Sequence, residues 1–408
     1  MKILLVNKFH YIVGGSETYY FALKNLLEEM GHEVIEFSMK NENNLPSKYE
    51  KYFVEGVDYN ARMGVLDKMR AAAGIIYSFE AKRKFKKLVK DTNPDIVHLH
   101  LFQHQISPSI LDVIKEFKLP CVYTAHELKM ICPNYKMLSH GKICEKCKGE
   151  KYINCLKNTC VKDSKLKSAL SFAEGYVHKI RKSYDAIDFI ITPSDFYKKK
   201  FEEFGVDEKR LISIPNFLDR KTPDFKNSGK SEHLYLGRLS EEKGIETLID
   251  AIKTTDEVLN IVGGGALKES LEKKIKKENI KNVNILGFKS GQELIDIVGN
   301  AKSVILPSQW YENGPYSAIE ALQMGIPVIG ANIGGIPELI ENNGYLFKPG
   351  DVNELREKIL LLSSLKKDEY EKMKNASRQL FERKYTAGAH YPKLMKVYES
   401  ACRKKELQ

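Results

Sequence analysis

Arg238 and Lys243 stand five residues apart in G-R-L-S-E-E-K-G, directly after the apolar run L-Y-L, with Gly237 and Gly244 allowing close backbone approach. Two cations converging from the end of one strand suit a diphosphate, the guanidinium as a planar fork and the ammonium as a point charge. Alone, they would read first as ordinary surface cations. Two further signals point to the same place. Gly263-Gly264-Gly265 follows N-I-V in a second strand-to-helix turn, whose backbone amides could share that phosphate. Glu312 and Glu320 are separated by seven residues in W-Y-E-N-G-P-Y-S-A-I-E-A-L. Glu320 falls on a largely apolar helical stretch, where an ionised carboxylate is costly unless it is paired or binds something. Glu312 lies at a helix start beside the N–H groups of Asn313, Gly314 and Tyr316, an arrangement in which the carboxylate accepts from hydroxyl groups while the amides hold oxygens. A capped helix start with one surface ion pair is the other reading.

Other residues carry weaker signals. Gly14-Gly15-Ser16 opens the first helix and either holds an anion or makes a tight turn with no ligand; it is not a G-x-G-x-x-G fingerprint. His98, His100 and His104 follow a core strand, where strand alternation puts the first two on one face. They read as satisfied or cleft-lining histidines before they read as a metal site. Five cysteines gather in one Gly- and Lys-rich insertion, with Cys144, Cys147, Cys155 and Cys160 the four-ligand choice for a tetrahedral, structural Zn²⁺ and Cys132 in reserve. Free reduced thiols and disulfides are the alternatives. The basic run Lys82 to Lys90 continues the helical pattern M-R-A-A-A-G-I-I-Y-S-F and reads either as a solvated helix face or as peripheral contact with an anionic membrane.

The elements that must position these residues follow a clear rhythm. Short apolar β-branched runs alternate with helical patterns at Ile3–Val6, Glu33–Phe37, Asp95–His100, Pro120–His126 and Asp188–Ser194. The rhythm restarts after Pro215 with six more runs, Glu232–Gly237, Glu257–Gly263, Val283–Gly287, Ser303–Ser308, Pro327–Ala331 and Gly344–Phe347. Such runs predict two α/β domains with buried parallel sheets. We expect residues 1–214 as the first domain, with the cysteine-rich insertion at about 130–162, and residues 215–381 as the second. Residues 382–408 are expected as a closing helix packed back on the first domain, and the hinge near Ile214–Lys230. A chain of 408 residues, 42% hydrophobic and 29% charged, is long enough for two cores and far from disorder. Its net charge of +11 favours phosphate-bearing partners without choosing among them. No signal-peptide core and no apolar run long enough to span a bilayer is visible, which predicts a cytosolic protein with reduced thiols.

The motifs in order, from G-G-S-E through T-A-H-E, T-P-S, I-P-N-x-x-D, G-R-L-x-x-x-K-G, V-G-G-G, the E-x₇-E block, P-V-I-G, G-G-I-P-E and F-x-P-G-D, resemble those of the retaining GT-B-fold glycosyltransferases, glycosyltransferase family 4 (glycosyl transferases group 1). The resemblance covers nearly the whole chain. It implies two Rossmann-like domains facing across a cleft and a hexosyltransferase-type activity using a UDP- or GDP-sugar. Arg238 and Lys243 would neutralise the diphosphate, Glu320 would grip the ribose, and Glu312 with Asn313, Gly314, Pro315 and Tyr316 would hold the donor sugar. Gly15 and Gly264 would approach the diphosphate, the base would stack near Phe288 and Lys289, and His126 would lie near the reaction centre. Here the block reads E-N-G-P-Y-S where commoner members have E-x-F-G.

The resemblance also implies retention by front-face attack without a carboxylate nucleophile, and catalysis without a cofactor, Zn²⁺ being structural if present. The acceptor is expected to be a glycan or lipid-linked sugar of cell-surface polysaccharide or glycolipid synthesis, at the inner face of the membrane if membrane contact is made. A catalytically silent nucleotide-sugar binder and a sugar-nucleotide epimerase are the competing readings. A basic zinc-ribbon nucleic-acid module is weaker, because it leaves the carboxyl domain unexplained.

Overall fold

The computed structural model describes residues 1–56, 64–218, 221–226 and 232–407. Contacts gather the chain into two compact units, one of Met1–His140, Cys144–Ile214 and the chain from His390 on, the other of Gly141–Ile143 and Pro215–Ala389. Of the expected hinge, residues 219–220 and 227–230 lie outside the described residues, and Asp219 of I-P-N-F-L-D with them.

The first unit holds a six-stranded parallel sheet of β1 (Lys2–Val6), β2 (Glu33–Phe37), β3 (Ile96–Leu99), β4 (Cys121–Thr124), β7 (Phe189–Thr192) and β8 (Leu211–Ser213), in the order β2-β1-β3-β4-β7-β8. Two short strands, β5 (Leu138–Ser139) and β6 (Lys142–Ile143), belong to the cysteine-rich insertion. Ile3, Leu4, Leu5 and Val6 are wholly buried, as expected of a strand covered on both faces by crossover helices. Because β1 lies between β2 and β3, the strand order reverses there, and the carboxyl ends of β1 and β3 form the topological switch point at which open α/β sheets bind ligands. Gly14–Ser16 and His100 follow those two ends.

The second unit repeats the principle with β9 (Glu232–Leu236), β10 (Leu259–Val262), β11 (Val283–Gly287), β12 (Ala301–Leu306), β13 (Val328–Ala331) and β14 (Gly344–Phe347), all parallel, in the order β11-β10-β9-β12-β13-β14. Here the switch falls between β9 and β12, and the loops after those strands carry Arg238, Lys243 and Glu312. The helix Ile245–Ile252 anchors the first of these loops by burying Ile245, Leu248, Ile249 and Ile252 in the unit's core.

Three features differ from the sequence expectation. Strand β8 was not anticipated; three residues just before Pro215 are too short for a periodic signal. The tail is two helices, Lys367–Lys384 and Ala387–Glu406, rather than one from Glu382. The break occurs because Tyr385 and Thr386 turn their backbone to Leu218, whose N–H donates to Tyr385 O at 2.9 Å, and Thr386 Oγ1 then accepts from Ala389 N–H to start the last helix. The basic helix Phe79–Thr92 is separated from the preceding helix Val65–Ile76 by Ser78, whose hydroxyl caps Ala81 N–H at 3.1 Å. Its Phe85, Leu88 and Val89 are buried, while Lys82, Lys84, Lys86 and Lys87 pair with Asp112, Glu80, Glu116 and Asp91.

From His390 on, the last helix bonds to the strand ends of the first unit. Tyr398 Oη lies 2.7 Å from His98 Nδ1, and Thr124 Oγ1 lies 2.7 Å from His98 Nε2, so both nitrogens of a wholly buried ring are satisfied. Tyr398→Phe leaves one of them without a partner, which costs about 1–3 kcal/mol. We expect a lower unfolding midpoint for this variant in urea; a midpoint equal to wild type would contradict the role given to the pair.

Candidate active site

Lys243 ends a single helical turn, Glu241–Lys243, that Gly244 closes in the left-handed conformation at φ +67°. A Cβ at Gly244 would stand 2.0 Å from Pro307 O, so only glycine lets this turn meet the loop after β12. Gln309 N–H fixes the contact by donating to Glu242 O at 2.8 Å. On the other side, Gly334 (φ +62°) packs where a Cβ would be 2.5 Å from Glu312 N, and Gly335 N–H donates to Glu312 O at 2.7 Å. The glycines of G-G-I-P-E thus clamp the Glu312 backbone.

Three donors converge on Glu312 Oε1: Lys243 Nζ at 2.6 Å, Ser308 Oγ at 2.6 Å and Trp310 Nε1 at 2.8 Å. Lys243 Nζ also lies 5.4 Å from the Trp310 ring centroid, within cation–π range. Burial alone would push the Glu312 carboxyl up, but the Lys243 charge and the three hydrogen bonds outweigh it, and the group is held below its ordinary value. The arrangement is therefore an ionised carboxylate and an ammonium, both anchored, at the carboxyl end of the sheet. Sequence reasoning named Lys243 and Glu312 but missed Ser308 and Trp310. The available signal was that Trp310, the chain's single tryptophan, lies two residues from Glu312.

Around this pair, the helix Tyr316–Gln323 begins after Pro315 with no side-chain cap. Asn216 Nδ2 donates to Gly314 O at 3.0 Å, and Tyr316 Oη donates to Phe217 O at 3.1 Å, so Gly314–Tyr316 is fixed to the I-P-N-F segment. Glu320 lies one helical turn beyond Tyr316 and is half-buried. Arg238 is exposed, with Nη2 3.0 Å from Glu242 Oε1. Gly264 has open space where a Cβ would be, and its carbonyl accepts from Leu239 N–H at 2.9 Å, tying the V-G-G-G turn to the Arg238 loop. Phe288 is 80% exposed just past β11, a free aromatic face.

His126 and Gly15 belong to the first unit. Gly15 is exposed at the start of the helix Gly15–Glu29, where the Glu17 carboxylate accepts from Gly14 N–H at 3.1 Å and from Asn7 Nδ2 at 3.4 Å. His126 Nε2 lies 3.1 Å from His100 Nδ1, and the two rings stack at 5.4 Å. Burial pushes His126 down to about 3, and His98 and His100 fall well below the usual histidine range for the same reason. These imidazoles are neutral at pH 7. His98 is committed to Tyr398 and Thr124, which removes the three-histidine metal reading. The His100–His126 contact had no spacing signal.

All seven cysteines are unbridged, which corrects the disulfide alternative. Among the described residues, no three His, Cys, Asp or Glu side chains have their donor atoms in a coordinating arrangement. Cys132, Cys144, Cys147, Cys155 and Cys160 nevertheless line one small cavity.

Glu312 gives a pH test. Its folded-state value lies below the 4.5 of an unperturbed Glu, so its contribution is present above about pH 4.5 and is lost as pH falls through the lower folded value. Wild-type stability should therefore fall more steeply than that of Glu312→Gln between about pH 5 and pH 3. Parallel unfolding-midpoint profiles for the two proteins would contradict the assigned ionisation.

Two family models match the chain in succession, Glycosyltransferase Family 4 over residues 13–222 and Glycosyl transferases group 1 over residues 219–380. An uncharacterised glycosyltransferase of Methanocaldococcus jannaschii, MJ1178, is 24% identical over 402 residues and spans 98% of both chains. The O-antigen biosynthesis glycosyltransferase WbnH of Escherichia coli is 25% identical over 277 residues, covering 66% of this chain and 68% of its own. Anabaena Alr3699/HepE, solved in complex with UDP and glucose, superposes with a TM-score of 0.64 at 17% identity over 98% of this chain and 100% of its own. With two parallel-sheet α/β units of the GT-B fold and both family models in place, this chain belongs to glycosyltransferase family 4 and is a glycosyltransferase.

Proposed function

We propose that the protein transfers a hexose from a UDP- or GDP-sugar to a glycan or lipid-linked acceptor, with retention of configuration at the anomeric carbon. The observation that carries this reading is the anchored Lys243–Glu312 pair beside an uncapped helix start at the carboxyl end of β12. A nucleoside diphosphate needs cations that are already in place, and Lys243 is held by Glu312, by the Trp310 ring and by the Gly244 turn. Arg238, less constrained, adds the second charge.

In the transfer, the bond from the anomeric carbon to the β-phosphate oxygen breaks and its electron pair stays with the diphosphate. The acceptor oxygen attacks from the same face, and its proton passes to the departing phosphate oxygen. Negative charge on the diphosphate grows in the transition state, so Arg238 and Lys243 stabilise it more than the ground state, which is the condition for catalysis. Glu312, with the backbone of Asn313, Gly314, Pro315 and Tyr316, holds the sugar hydroxyls. Glu320 binds the ribose, Gly264 faces the phosphates, and Phe288 offers its ring to the base. His126, neutral at pH 7, acts as a hydrogen-bonding group near the reaction centre. None of these roles calls for a bound metal.

The UDP and glucose bound by HepE support a nucleotide-sugar donor, and the O-antigen role of WbnH supports a cell-surface polysaccharide or glycolipid acceptor. Unbridged cysteines and the absence, among the described residues, of a helix long and apolar enough to cross a membrane fit work in the cytoplasm. Exposed Phe79 beside Lys82, Arg83 and Lys86 would serve peripheral contact with the inner membrane face if the acceptor is lipid-linked.

Lys243→Ala and Glu312→Ala should each lower transfer by at least about 100-fold, the scale of losing one group that stabilises transition-state charge. Radiolabelled sugar transfer measures this, and NMR of the product should show the donor's anomeric configuration. Wild-type rates in both variants, or an inverted product, would overturn the assignment. A protein that binds the donor but never turns it over would instead be the silent sugar-nucleotide binder, and one that returns an epimerised free sugar would be an epimerase.

A further inference from the structure

The insertion that follows His126 carries a second chemistry, independent of the transfer reaction. Cys132, Cys147 and Cys160 lie in loops and turns and Cys155 in the short helix Ile153–Lys157, yet all line one cavity of about 10 Å³, the room one water-sized sphere needs. Every one of the six pairs among them is close enough to interact electrostatically. Cys144, which lines the same cavity, is coupled to Cys147. The polar surroundings are those of metal thiolates. The Asn134 and Met137 N–H groups point at the Cys132 sulfur, the Cys155 N–H points at the Cys147 sulfur, and Ser139 Oγ lies 3.8 Å from Cys160 Sγ. Such donors stabilise sulfur ligands from the outer shell.

We infer that Cys132, Cys147, Cys155 and Cys160 bind one structural Zn²⁺ ion, with Cys144 as the uncommitted fifth thiol. The set differs from the spacing-based choice by exchanging Cys144 for Cys132, because only the fold brings Cys132 back against the later turns. Four sulfurs and no oxygen or nitrogen donor suit zinc, and a site closed by four protein ligands leaves no open position for catalysis. Cysteine has one side-chain torsion of consequence. Zinc binding requires the four sulfurs to turn about Cα–Cβ from the cavity wall to ~2.3 Å from the ion. The ion would lock the insertion that begins just after His126, adding to the buried Lys129–Glu174 pair and the β5–β6 ladder that already hold it.

The test uses the full-length protein purified under reducing conditions without added metal chelator. Elemental analysis should find about one zinc per chain; iron in its place, or no metal, overturns the proposal. Cys144→Ser should retain that zinc, whereas Cys132→Ser should lose most of it; the reverse result overturns the ligand set. Should Cys132→Ser fail to fold, alkylation of the wild type followed by intact mass decides the matter. Cys132, Cys147, Cys155 and Cys160 should be protected until a strong chelator is added, with Cys144 modified from the start. Protection that a chelator does not relieve contradicts the metal site.

Discussion

A carboxylate buried beneath a sheet's carboxyl edge cannot stay ionised without a cation and hydrogen bonds, and Glu312 has one cation and two further donors on a single oxygen. Much of the second unit's local structure serves this constraint. Gly244 lets the Lys243 turn touch the β12 loop, Gly334 and Gly335 hold the Glu312 backbone, and Gln309 joins the two loops. A buried ion pair of this kind adds little net stability, since desolvation offsets most of its attraction. Losing one partner is far more costly, because the other is left as an uncompensated charge. That asymmetry ties Lys243 to Glu312, and the diphosphate role proposed for it draws on a cation held in place.

The two units solve opposite electrostatic problems with related sheets. At the carboxyl ends in the second unit the side chains are charged and paired. In the first unit they are neutral aromatic and imidazole groups, with His98, His100 and His126 stacked or bonded edge to edge and Tyr19 bonded to His390 at 3.0 Å. In the first unit these groups are largely buried and hydrogen-bond one another, whereas in the second the charges are held in an ion pair at the loop ends. The division follows from where each chemistry is placed on a parallel sheet, at strand ends next to the topological switch.

Much of this was legible in the residues. Eleven of the twelve long-sheet strands appear as apolar β-branched runs because a strand buried on both faces has no polar face to break the pattern. Lys243 and Glu312 were legible because Gly244 and the loop-to-helix pattern around E-N-G-P mark positions with special backbone demands. What escaped were contacts that depend on tertiary closure. Ser308 and Trp310 look like ordinary loop residues until the loop folds onto Lys243. The His100–His126 pair joins strands distant in sequence, and Cys132 meets Cys155 only after the insertion has turned back. The break at Tyr385–Thr386 was equally invisible, since its cause is Leu218, far away in the chain.

We propose that the Lys243–Glu312 site binds a nucleotide sugar for turnover. This is tested most directly by presenting UDP-, GDP- and ADP-sugars to the wild-type protein and following thermal stabilisation together with release of the nucleoside diphosphate. A ligand that binds only the native state raises the unfolding midpoint in proportion to its affinity. One donor class is expected both to stabilise the protein and to be slowly hydrolysed in the absence of acceptor. If no nucleotide sugar stabilises the protein and none is consumed, the diphosphate site assigned to Arg238, Lys243 and Glu320 is contradicted.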